Sequence, residues 1–105
     1  MYRHAFKMKL KPGFADEYKK RHDEIFPALR DFLAESGVRD YSIYLDEQSL
    51  DLFAYQVLED DFDESSIPDH PIVQKWWAFM ADVMETHPDH SPVVTPLREV
   101  FHMEG

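Results

Sequence analysis

Apolar and polar residues alternate along the first segment of the chain, residues 2–10. Alternation with a period of two is typical of a strand with one buried face. Over residues 14–35 the apolar positions change to a helical spacing, and Gly37 follows as the expected end of that helix. Pro27 lies inside the helix and cannot donate a backbone hydrogen bond, so we expect a kink or a restart near residues 25–26.

Two further alternating segments, residues 38–45 and 50–58, flank a short polar turn and predict a β-hairpin. In the first of these strands Tyr41, Ile43 and Leu45 share one face. The acidic residues 59–69 predict a loop or one short turn.

The second helix is predicted to begin at Asp69-His70-Pro71, which joins a capping residue to a proline in the first turn. Apolar residues at helical spacing extend it to about residue 84. Three prolines predict an extended loop over residues 87–96, and residues 97–103 predict a final strand.

The order of predicted elements is β-α-β-β-α-β. This is the split β-α-β arrangement of the ferredoxin-like α+β fold, with four antiparallel strands and the helices on one face. The third strand is apolar on both sides, whereas a sheet with one wet face alternates more cleanly. A second copy of the chain is therefore expected to cover the other face, as in a dimeric α+β barrel. Alternatively, that face lines a ligand cavity, or both hold.

Length and composition predict a single domain over residues 1–105, and its two tryptophans, eight phenylalanines and five tyrosines suffice for a core. The formal charge of −10 argues against nucleic acid and anionic membranes as partners, so a neutral ligand is the simpler expectation. The lack of cysteine excludes thiol catalysis and disulfides and fits a cytoplasmic protein. We expect neither a signal peptide nor a membrane span, since no suitable apolar run is present.

Tyr18 and His22 are four residues apart in the first predicted helix, so they share a face. This places a phenol beside an imidazole that can exchange a proton near neutral pH. Asp23 and Glu24 could help keep His22 protonated if they approach it. The simpler alternatives are a core tyrosine and a solvated histidine.

Trp76 and Trp77 are adjacent in the second predicted helix and therefore point about 100° apart. Tryptophans are most often core residues, but adjacency leaves one of them without an obvious place in the core. One indole could fill the core while the other lines a pocket, where it would stack on the C–H face of a sugar.

His87 and His90 have a spacing that a metal site could use. The surrounding prolines place them in a loop, however, and no third ligand is evident, so we expect no metal. The chain also has no phosphate-binding glycine loop, no dinucleotide fingerprint and no Ser-His-Asp signature.

A family resemblance covers nearly the whole chain. The segments AFKM, EYKKRHDEIFPAL, YSIYLD and QKWWAFMADVM, a Pro-Asp-x-Ser-Pro loop and a terminal EVF closely resemble the L-rhamnose mutarotases. The family has Trp where this chain has Phe26, a change that keeps an aromatic ring.

The resemblance implies a homodimeric α+β barrel that interconverts the α and β anomers of L-rhamnose, a small neutral sugar, without cofactor or metal. It places the family's proton donor on His22 and its sugar-binding residues on Tyr18, Tyr41, Trp76 and Trp77. The spacing argument had not singled out Tyr41. The competing hypothesis is a non-catalytic or oxygenase-type dimeric α+β barrel that binds a small apolar ligand.

Overall fold

A four-stranded antiparallel sheet forms one layer of the structure, and helices cover one of its faces. The computed structural model describes all 105 residues. The elements are β1 (Tyr2–Lys9), α1 (Ala15–Asp23), α2 (Pro27–Ser36), β2 (Val38–Leu45), β3 (Asp51–Leu58), a 3₁₀ turn (Glu64–Ser66), α3 (Pro71–Met80) and β4 (Thr95–Leu97). The strand order β2-β3-β1-β4 is that of the ferredoxin-like α+β fold, which confirms the predicted class.

The predicted restart in the first helix is confirmed. α1 ends at Asp23, and α2 begins with Pro27 in its first turn, where the missing backbone N–H leaves no helical partner unsatisfied. Gly37 ends α2 in the left-handed conformation with φ of 107°, and its N–H donates to the carbonyl oxygen of Ala34 at 3.2 Å. That φ value is one glycine adopts without steric cost.

One hydrophobic core lies between the sheet and the helices. Alternate residues of β1 and β3 enter it, because the antiparallel register places Met8 opposite Leu52 and Phe6 opposite Ala54. The helices meet them with Tyr18, Leu29, Val73, Trp76 and Met80.

The third helix ends earlier than predicted, at Met80 rather than near Met84. It begins as expected, with His70 as its cap: the His70 ring accepts a hydrogen bond from the N–H of Ile72 at 3.1 Å. Beyond Met80 the chain turns so that Val83 and Met84 become buried and Met84 bridges to Leu10. The core contacts of these two residues override the helical pattern.

The last strand differs most from its prediction. It covers Thr95–Leu97, not residues 97–103. Pro96 lies opposite Phe6 at the sheet edge, the position in a sheet where a residue without a backbone N–H is tolerated. The residues after Leu97 leave the sheet, and the side chains of Val100, Phe101 and Met103 are largely exposed.

The second face of the sheet has no helix on it and carries apolar side chains. Strand alternation and the register place Ala5, Tyr44, Phe53, Tyr55, Val57 and Leu97 on this face. Tyr44 is 69% exposed and Phe53 is 39% exposed. We refer to these six residues as the open sheet face.

Candidate active site

Tyr18 and His22 lie on one face of α1, as their spacing predicts. Their rings stack with centroids 4.3 Å apart and planes at 29°. Tyr18 is buried in the core, whereas His22 is half-buried. Tyr18 thus has the core role expected of most tyrosines and also supports the imidazole above it.

The hydrogen bonding of His22 fixes the roles of its two ring nitrogens. Nδ1 lies 3.0 Å from the carbonyl oxygen of Tyr18. A carbonyl oxygen can only accept, so Nδ1 carries a proton and donates it. In the neutral ring, Nε2 then holds the free lone pair.

Burial lowers the pKa of His22 below its ordinary value, and smaller effects of the Tyr18 carbonyl and the Asp23 carboxylate oppose this. The imidazole is therefore neutral at pH 7. Of the two carboxylates expected to favour the protonated ring, Asp23 does raise the pKa and Glu24 is not among its causes, but burial lowers the pKa more. His22 offers Nε2 to the site as a proton acceptor.

The two tryptophans of α3 differ in burial. Trp76 is 9% exposed, and the His22 ring meets it edge to face with centroids 5.2 Å apart. Trp77 is half-buried and packs at the margin of the core. Trp76 therefore holds the imidazole in place, and Trp77 keeps part of its indole accessible.

Phe26 extends this aromatic wall. Its ring meets Trp76 at 5.0 Å in an edge-to-face arrangement and lies 5.5 Å from Phe79. The position was of interest in the sequence only as a departure from the family pattern. In the structure it packs directly against a tryptophan of the site.

Arg21 joins α1 to the segment after α3 next to His22. Its guanidinium donates to the Asp82 carboxylate at 2.7 Å and to the Phe79 carbonyl oxygen at 2.7 Å, and its Nε donates to Glu17 at 2.8 Å. The guanidinium also lies 4.5 Å from the centre of the Phe79 ring. Sequence reasoning missed Arg21, because Phe79 and Asp82 are distant along the chain.

Tyr41 lies on the helix-facing side of β2, since it pairs with Gln56 of β3. Burial raises the pKa of Tyr41 to about 12, against a lowering effect of a hydrogen bond from Gln56. The pKa of Tyr18 is also raised, mainly by burial and then by the neighbouring Tyr41 phenol. The Tyr41 residue is 39% exposed, so it reaches solvent in part.

Three polar atoms of this cluster are free to bind a ligand: the Tyr18 hydroxyl, Nε2 of His22 and the indole nitrogen of Trp76. None has a hydrogen-bond partner within the protein, and no side-chain polar atom of the structure is fully buried without one. These atoms therefore reach solvent. Together they offer hydrogen-bond donors and acceptors beside flat apolar rings, which suits a small polyol.

A depression of about 440 Å³ is lined by charged and small residues of the α2–β2 turn and the acidic loop, such as Glu35, Arg39 and Glu59, and by no residue of the aromatic cluster. No three histidine or carboxylate side chains are grouped to hold a metal, and His87 and His90 stay in a loop. None of the helices has the length and apolar character needed to cross a bilayer.

Comparisons with known proteins point to one family. Residues 3–103 match the family model described as L-rhamnose mutarotase. An L-rhamnose mutarotase of Jannaschia sp. (strain CCS1) is 54% identical over 98% of this chain and 99% of its own length. A crystal structure of an L-rhamnose mutarotase from Formosa agariphila is 48% identical, superposes with a TM-score of 0.92, and is matched over 99% of this chain and all of its own.

A more distant structure shares the fold alone. Tetracenomycin F2 cyclase from Streptomyces glaucescens, a polyketide cyclase, superposes with a TM-score of 0.60 at 17% identity, over all of this chain and 98% of its own. The fold therefore occurs with different chemistries, and the side chains of the site must carry the functional argument.

Proposed function

The chain belongs to the L-rhamnose mutarotase family, and we propose that it interconverts the α and β anomers of L-rhamnopyranose by acid–base ring opening and closure. It is an isomerase of this family. The competing hypothesis of a non-catalytic or oxygenase-type barrel is not favoured, since the close relatives are mutarotases.

The observation that carries the proposed mechanism is the state of His22. Its Nδ1–H is held by the Tyr18 carbonyl, and its Nε2 is unprotonated, accessible and next to the aromatic wall. A neutral imidazole with one nitrogen anchored is suited to take a proton from a bound hydroxyl group and return it.

Mutarotation requires two proton transfers in each direction. On ring opening, the anomeric hydroxyl gives its proton to Nε2 of His22, the bond between C1 and the ring oxygen breaks, and the ring oxygen receives a proton from a second polar group of the site or from water, which takes it back on closure. The resulting aldehyde rotates about its bond to C2. On closure the ring oxygen loses its proton, and His22 returns a proton to the new anomeric oxygen. The family resemblance implies that His22 is a proton donor; in the mechanism proposed here His22 accepts a proton on opening and donates it on closure.

Tyr18, Tyr41, Trp76 and Trp77 bind the sugar in this proposal. The phenols are the hydrogen-bonding groups beside His22, and both keep their protons at neutral pH because their pKa values are raised. The half-buried indole of Trp77 can stack on the C–H face of the ring, while Trp76 supports His22. The methyl group of this 6-deoxy sugar would add apolar contact.

The proposed assembly is a cytoplasmic homodimer. The open sheet face supports it, because apolar side chains such as Tyr44 and Phe53 are uncovered in the single chain. The tail residues Val100, Phe101 and Met103 add exposed apolar surface. A neutral sugar substrate is also consistent with a chain of formal charge −10.

The direct test is magnetisation transfer by NMR between α- and β-L-rhamnose, with and without the protein. Wild type should accelerate exchange, and His22→Ala should lower the catalysed rate by roughly 10²–10⁴-fold, the usual worth of one acid–base group. His87→Ala is the matched control, because His87 is exposed in a loop away from the site. Exchange by His22→Ala at the wild-type rate would transfer the role to another residue.

A further inference from the structure

A line of polar side chains crosses the helix-facing side of the sheet and ends at the site. The register aligns His4 of β1 with Gln56 of β3, and Gln56 in turn with Tyr41 of β2. All three residues therefore point to the same face, in neighbouring strands. His4 and Gln56 are half-buried, in a region otherwise occupied by apolar residues.

The hydrogen bond between His4 and Gln56 orients the amide. Nδ1 of His4 lies 3.1 Å from Oε1 of Gln56. An amide oxygen can only accept, so His4 donates, and the amide oxygen is turned towards β1. The Gln56 NH₂ group, which can only donate, is left for the other neighbour, Tyr41.

This arrangement sets the direction in which the Tyr41 O–H bond points. Gln56 pairs directly with Tyr41 across the sheet, which places its NH₂ group on the side of the Tyr41 side chain. The amide acts on the pKa of Tyr41 in the lowering direction expected of a group that donates towards the hydroxyl. Hydrogen bonds at catalytic sites are often long until substrate is bound. With its lone pair engaged, the hydroxyl has its own proton free for the pocket.

We propose that Gln56, held by His4, is a positioning residue that fixes Tyr41 as the proton donor to the ring oxygen, complementary to His22. This inference rests on the proposed mutarotase function and names the second group that the reaction needs. On ring opening, Tyr41 gives its proton to the ring oxygen while His22 takes the proton of the anomeric hydroxyl. On closure both transfers reverse, so no proton is gained or lost over the cycle.

The test replaces the amide by a group of the same shape that cannot donate. In Gln56→Glu the new carboxylate can only accept, so it takes a hydrogen bond from His4 on one side and from the Tyr41 hydroxyl on the other. The Tyr41 proton then points to the carboxylate and not to the sugar. We expect the catalysed exchange of L-rhamnose anomers to fall at least about tenfold, with Tyr41→Phe losing roughly 10²-fold. Rhamnose affinity, followed by tryptophan fluorescence, should change much less in Gln56→Glu. Combining both changes should cost no more than Tyr41→Phe alone, because Gln56 acts through Tyr41.

Gln48→Glu is the matched control, since it introduces the same charge in the exposed β2–β3 turn and should exchange anomers at the wild-type rate. Gln56→Met is a second variant that removes the amide without adding a charge and should also slow exchange. If both folded Gln56 variants exchange at the wild-type rate, Gln56 has no positioning role. If Tyr41→Phe does so, Tyr41 is not the donor. Failure of wild type to accelerate exchange at all would instead refute the proposed function.

Discussion

At the scale of single residues, the site depends on Tyr18 and Trp76, which both pack in the core and also contact His22. Tyr18 is buried in the core and also supplies the carbonyl oxygen that anchors the His22 ring. Trp76 belongs to the same core and also meets the edge of the imidazole. The imidazole of His22 is therefore held by residues whose positions the core already fixes, and such packing keeps a side chain in one rotamer.

The pH dependence of the reaction follows from the neutral state of His22. Burial places its pKa below the ordinary value of 6.5. The charged groups and rings around it are Asp23 and Tyr18 on α1 and Trp76 on α3. An imidazole that must first accept a proton cannot do so once it is protonated. The catalysed rate should therefore stay constant near neutral pH and fall as the pH drops through the lowered pKa of His22.

The measurement is the anomer exchange rate between about pH 4 and pH 9, which spans the ordinary histidine pKa. The uncatalysed rate is subtracted at each pH. The same burial predicts that the free energy of unfolding also decreases as the pH drops below 6.5. The reason is that His22 binds a proton more readily in the unfolded chain than in the folded one. A rate that rises on acidification would show that the charged imidazole is the active form.

The two tryptophans should respond differently to substitution. Trp77→Phe should remove most of the fluorescence change caused by rhamnose and cost little stability, because Trp77 is only half-buried. Trp76→Phe should destabilise the fold more, because Trp76 is 9% exposed and touches both His22 and Phe26. Urea unfolding and rhamnose titration of both variants make the comparison. Equal stability losses with an unchanged rhamnose response in both would place the pocket elsewhere.

At the scale of elements, the ends of helices are set by backbone geometry more than by side-chain periodicity. α2 ends because Gly37 takes a left-handed conformation, and β2 begins at the next residue. β2 then pairs with β3, first Val38 with Leu58 and, after an irregularity in the register, Tyr41 with Gln56. Gly37 therefore sets where β2 begins, and the irregularity that follows sets the register at Tyr41.

Gly37→Ala should destabilise the protein by about 1–2 kcal/mol, the usual strain of a non-glycine residue in the left-handed region. An added Cβ would also lie 3.2 Å from the Cβ of Glu59, which must move. Gly13→Ala is the matched control: its φ is also positive, at 87°, but no atom lies within 4 Å of the added Cβ. Urea unfolding should show the larger loss for Gly37→Ala, and the reverse order would contradict this account.

At the scale of the whole molecule, the two faces of the sheet differ. Helices cover one face, and no element of the chain covers the other. The helix side has one core, in which no fully buried side-chain polar atom lacks a hydrogen-bond partner. The open sheet face and the tail after β4 present apolar side chains to solvent. A second copy on that face would bury them.

Light scattering at micromolar concentration should therefore give the mass of two chains. Phe53→Glu places a charge on the open sheet face and should shift the protein towards the monomer. Ala28→Glu adds the same charge on the exposed surface of α2 and should leave the dimer intact. A monomer mass for wild type would exclude the dimer under these conditions.

Much of this arrangement could be predicted from local pattern. The alternation of apolar and polar residues predicts the strand Val38–Leu45. The missing backbone N–H of Pro27 predicts the break between the first two helices. Helical spacing predicts that Tyr18 and His22 lie side by side. The early end of α3 could not be predicted, because it depends on Met84 meeting Leu10 across the fold. The short β4 depends in the same way on the edge of β1.

The parts of the site that the spacing argument missed are tertiary. Arg21 contacts Asp82 and Phe79, which are distant in sequence, and the role proposed for Gln56 depends on strands on both sides. Tyr41 was reached only through the family resemblance, because alternation gives the side of a strand and not its neighbours. Phe26 became part of the wall only when α2 packed beside α3.

The central position of β1 has a consequence for how the chain is made. β1 pairs only with β3 and β4, and both of these strands are synthesised after it. Until then α1, with Tyr18 and His22, has no sheet to pack on, so the nascent chain should gain its native core late and in one step. Dependence on such distant pairings slows folding relative to helical proteins of similar size.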